Sequence, residues 1–162
     1  MELVLPIFVV LVLPVLVALA FAIRRRWDWL AATTTVAAVP LQLLGLTSTC
    51  TQGADGSFFA GVILSAPHLV IGICATCWSI YKGFASRASL LVVLLVPVAM
   101  LIMTHWAWLN ILQYGTPCGA DYASSHAISA AIILAGYLLL PAILAACGAW
   151  ALAKGKRGQL IP

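Results

Sequence analysis

Three histidines and five cysteines give this 162-residue chain most of its chemical range. The histidines are His68, His105 and His126; the cysteines are Cys50, Cys74, Cys77, Cys118 and Cys147. Imidazole nitrogen ligates haem iron and transition metals, and thiolate joins it at softer metals. A neutral imidazole in an apolar setting otherwise needs a hydrogen-bond partner. No spacing here is diagnostic, because HxxxH, HExxH and a Cys/His cluster within one segment are all absent. Haem or metal ligation would have to be assembled between segments, from two of the histidines or from histidine with Cys50 or Cys118. The alternative is that His68 bonds a carbonyl exposed by Pro67 or a neighbouring kink, with His105 and His126 as wet interfacial residues.

The cysteines divide by their surroundings. Cys50 and Cys118 stand in two short polar segments, TSTCTQGADG and YGTPCGADY. In an oxidising compartment their natural state is a disulfide between the two loops. Cys74 and Cys77 form a CxxC near the end of an apolar run, away from the accessible helix start at which a catalytic pair is activated. They read as small filler, as does Cys147. One cysteine per polar loop also fails to match quinone-linked membrane thiol oxidoreductases, which carry pairs there.

The elements that hold these residues follow from hydropathy. The chain is 64% hydrophobic and 7% charged, against about 25% charged in soluble domains. Its mean hydropathy is +1.13. Eight basic residues are too few for a nucleic-acid footprint, so no nucleic acid is expected. Between the charged positions lie five apolar runs near the roughly 20 residues that a membrane helix needs, about 3–23, 29–47, 59–81, 88–111 and 123–153. The expected architecture is all-α, one integral membrane domain over 1–162, with five transmembrane spans.

Sidedness comes from the basic residues. With the amino terminus outside and the carboxy terminus cytoplasmic, all eight fall on the cytoplasmic side of an inner membrane, and Glu2, Asp55 and Asp121 fall outside. At about 1.5 Å per helical residue, all three histidines then belong to the outer half. Each span carries one proline (Pro14, Pro40, Pro67, Pro97, Pro141), which predicts a kink and a freed carbonyl in every helix. Small residues four apart, such as Gly61 with Ser65, Gly72 with Thr76, Ala127 with Ala131 and Ala142 with Ala146, predict that the third and fifth spans lie at the centre. Trp27, Trp78, Trp106, Trp108 and Trp150 fall at interfacial belt positions.

With no carboxylate inside any expected span, embedded proton coupling has no obvious carrier. Ser124, Ser125 and Ser129 near His126 do not make a triad with Asp121. The expected protein is non-enzymatic. It works by binding a membrane protein partner or a second copy of itself through the loops around Cys50 and Cys118. The competing classes are a small-solute transporter or channel with His68 on its path, and a haem- or metal-binding redox protein.

Overall fold

In lipid the backbone must satisfy its own hydrogen bonds, and helices do so segment by segment. The computed structural model describes residues 16–46, 55–83, 85–120 and 127–155, and all regular structure among them is helical. A helical segment at 16–23 (α1) leads into α2 (Trp27–Leu46), α3 (Asp55–Lys82), α4 (Arg87–Met103) and α5 (His105–Tyr114). The last helix begins as α6 (Ala127–Leu134), passes through a π-helical segment (Ala135–Leu139) and continues as α7 (Leu140–Gly155).

Trp27–Leu46, Ser57–Lys82 and Ala127–Lys154 are long and apolar enough to cross a membrane, and α4 with α5 makes a fourth if the bent pair counts as one span. The expected first span lies mostly outside the described residues, as do Cys50 and His126. The expected fourth span is not one continuous helix. It breaks at Thr104, and α5 leaves α4 at 56°.

Proline does not mark that break. Helices α2, α3 and α4 run through Pro40, Pro67 and Pro97, and the bend comes seven residues after Pro97. Pro141, by contrast, lies two residues past the end of the π segment.

The α2–α3 contact is the most extensive in the bundle, followed by α4 with α7. Helix α3 turns Phe58, Gly61, Ser65, Leu69, Gly72 and Thr76 inward at helical spacing and leaves Leu64, Ile71, Trp78 and Tyr81 exposed. A side-chain carbon at Gly61 would lie 2.9 Å from the Gly45 Cα, so glycine lets the two backbones touch. The small-residue pairs of α3 therefore pack inward, whereas in the last helix, which packs against α4 and α3, Ala127, Ala131, Ala146, Ala149 and Ala153 are exposed. There Leu144, Ala145, Gly148 and Ala151 face inward instead.

The helices gather the described basic residues at one end. Trp27 packs edge-on against Trp78 at 6.3 Å, and Lys82 shares a cleft with Trp150 and Lys154. Asp55 opens α3 at the opposite end. Because α2 starts at Trp27, Asp28 falls in its first turn and is 4% exposed, with Arg26 Nε 3.4 Å away. This corrects the expectation that spans carry no carboxylate. An anion is favoured at that position by the helix dipole.

Candidate functional site

Two linked constructions stand out toward the end of the bundle remote from the lysines. The first begins with Pro141, which has no N–H to donate. In the π segment the Leu140 N–H reaches back to Ala135 O, and the next N–H in line would belong to residue 141. Gly136 O is thereby left without its usual partner along the helix. Gln42 of α2 fills the place, donating from Nε2 to Gly136 O at 2.9 Å. The Tyr137 hydroxyl returns the link by donating to Gln42 O at 3.2 Å.

Tyr137 O, the carbonyl four residues before the proline, lies 3.4 Å from the Thr104 hydroxyl, which donates to Met100 O at 2.9 Å. The joint thus ties α2, the broken span and the last helix together. Gln42 is 1% exposed, and its Oε1 is the buried side-chain atom among the described residues that has no hydrogen-bond partner.

The second construction is the break itself. Ending α4 early frees carbonyls that side chains then take up. Trp108 Nε1 donates to Leu101 O at 3.2 Å, and His105 Nδ1 donates to Ile102 O at 2.7 Å. Helix α5 is held from beneath by Ala107 and Ile111, which pack with Phe58, Val62, Ile133 and Tyr137. Phe58 meets Trp106 at 5.8 Å and Tyr137 at 6.4 Å, both edge-to-face.

Gly115 closes α5 in the left-handed conformation, φ 74°, where a side chain would be strained. The loop then folds back. Asn110 Nδ2 donates to Pro117 O at 3.0 Å, the Cys118 N–H donates to the Thr116 hydroxyl at 3.3 Å, and Thr116 and Pro117 are buried. What remains exposed is a stripe of His105, Leu109 and Leu112, flanked by Trp106, Gln113 and Tyr114.

The two described histidines sit in different helices, His68 in α3 and His105 at the start of α5. His105 caps the broken helix and borders the exposed stripe. His68 donates from Nδ1 to Leu64 O at 3.1 Å, beside the exposed Leu64, Pro67 and Ile71. Its acceptor is the carbonyl after the one Pro67 frees, Ile63 O. Among the described residues no group of three His, Cys, Asp or Glu could hold a metal ion.

Cys74, Cys77 and Cys147 are free thiols, and Cys118 is not among the free ones. Sequence reasoning missed Gln42, Tyr137 and Thr104 because it searched for ionisable groups. The usable signal was Gln42 as the one amide in the middle of an apolar run, and a tyrosine at mid-span rather than at an interface.

No family model, curated protein or solved structure matches the chain.

Proposed function

We propose that the chain is a five-span protein of the cytoplasmic (inner) membrane, amino terminus outside and carboxy terminus cytoplasmic, that acts by binding another membrane protein through its outer end. The observation carrying this reading is α5. Its exposed apolar stripe, Leu109 and Leu112 beside His105, leaves the α4 axis at 56°, while caps, core contacts and a folded-back loop hold it in place. A segment serving only as a lipid-facing span would gain nothing from that turn. A fixed apolar face with polar neighbours suits partner recognition.

Sidedness is supported by the clustering of lysines and arginines at the opposite end of the bundle, since basic residues are retained on the cytoplasmic side. In this reading a disulfide between Cys50 and Cys118 ties the outer loops; Cys118 packs against the α5 core and is not a free thiol.

A photo-crosslinking residue at Leu112, compared with one at the lipid-facing Leu95, tests the reading in native membranes. The expected result is one adduct of defined mass from position 112, absent from position 95 and abolished by Leu109→Asp. Identical adducts from both positions, or from neither, would overturn it.

A further inference from the structure

The two helices that end at the basic pole carry the same short pattern. Trp78 is followed four residues later by Lys82 in WSIYK, and Trp150 by Lys154 in WALAK. Each lysine lies over aromatic rings of its own helix. Lys82 Nζ is 5.2 Å from the Trp78 ring centre and 5.5 Å from that of Tyr81, and Lys154 Nζ is 5.0 Å from that of Trp150. A cleft of about 700 Å³ opens between the two helices, walled by Cys77, Tyr81, Lys82, Trp150 and Lys154.

None of the described residues that line the cleft is acidic, and the one ion pair among the described residues, Arg26 with Asp28, is elsewhere. Two ammonium groups therefore share the cleft with no carboxylate among its described lining residues. The carboxy-terminal dipoles of α3 and α7 supply roughly half a negative charge each, which offsets only part of the two positive charges. The cleft keeps a net attraction for an anion.

A second depression is lined by Trp78. It holds about 420 Å³ between α2 and α3, and its walls are apolar: Trp27, Leu30, Val70, Ile71, Cys74 and Trp78. Trp78 lines the groove and also carries Lys82 over its ring, so one indole touches both the apolar groove and one of the two lysines of the cleft. A basic pocket at a membrane interface with an apolar channel beside it has the chemistry of an anionic lipid site. A soluble anion would use the cleft alone and leave the groove without a role.

We propose that Lys82 and Lys154 bind the phosphate of an anionic phospholipid, with one acyl chain lying in the groove between Trp27 and Trp78. This rests on reading α3 and α7 as membrane spans, and not on the proposed partner surface at the other pole.

The test uses the full chain reconstituted in phosphatidylcholine vesicles, with tryptophan fluorescence quenched by dibrominated-chain phosphatidylglycerol or by dibrominated-chain phosphatidylcholine. Trp27, Trp78 and Trp150 border the site. Phosphatidylglycerol should quench at several-fold lower mole fraction than phosphatidylcholine. The advantage should vanish in K82Q/K154Q and persist in R87Q. Equal quenching by both lipids in the wild-type chain would overturn the proposal, as would unchanged selectivity in the double variant. Loss of the preference on adding inorganic phosphate would assign the cleft to a free anion and overturn the lipid. Single K82Q and K154Q, each expected to lower the preference about twofold, decide the matter if the double variant does not fold. Crosslinking from Leu112 reads the opposite pole and stands or falls separately.

Discussion

Around Leu30, Leu69 and Leu144 the bundle core is aliphatic, and its hydroxyls are used up locally: Thr34 and Thr35 donate to Leu30 O and Ala31 O, and Thr76 to Gly72 O, all within their own helices. Around Phe58 and Tyr137 the core is aromatic, and polar side chains reach across, from Gln42 to Gly136 O and from Tyr137 to Gln42 O. The difference lies in the backbone. In the aliphatic region each of these hydroxyls adds only a second, local contact to a carbonyl of its own helix. Where a π turn is followed by proline, a carbonyl becomes available and a neighbouring helix can claim it. Among the described residues, polar contacts between helices thus gather at this irregular backbone: Gly136 O accepts from Gln42, and the Tyr137 hydroxyl beside it donates to Gln42 O of α2.

Four substitutions would break or sharpen that contrast, each read as unfolding free energy in mixed micelles. Gly61→Val should have the largest effect, a loss of about 3 kcal/mol, because the added atoms meet the Gly45 backbone, which has no rotamer to move. Gln42→Leu should cost about 1–2 kcal/mol by stranding Gly136 O, near the upper end for an interhelical bond in a membrane protein. Pro141→Ala restores an N–H behind the π turn. In that background Gln42→Leu should cost about 0.5–1 kcal/mol less, and a double-mutant cycle that closes to zero would refute the account of the freed carbonyl. Thr76→Val should change stability by no more than about 0.5 kcal/mol, since the lost bond lies within one helix.

The helical class and the approximate limits of α2, α3 and the last helix were legible from hydropathy, because a run of apolar residues between charges has few other uses. The gathering of Arg24, Lys82 and Lys154 at one pole followed from the same charge spacing. The break at Thr104 was not legible. Its sequence, IMTHWAW, is as apolar as a continuing span, and what ends α4 is the combination of Thr104, His105 and Trp108 taking up carbonyls in three dimensions. The inward row of the last helix was misread because its alanines occur on every face, so spacing alone could not say which ones pack. Gln42 escaped notice because an amide carries no charge, yet it is the residue that most needs a partner in a dry core. The Cys50 and His126 expectations lie outside the described residues.

The π turn also has a geometric effect far from where it forms. One added residue advances everything beyond it by one helical step, roughly 100° of rotation and 1.5 Å of rise. Trp150 and Lys154 point toward α3 in the phase this insertion sets, so the azimuth of one pole is fixed by a residue count near the other. Deleting Leu138, which would let the helix run as regular α, should swing Lys154 about a quarter turn around the axis and take it away from Lys82 while leaving its depth almost unchanged.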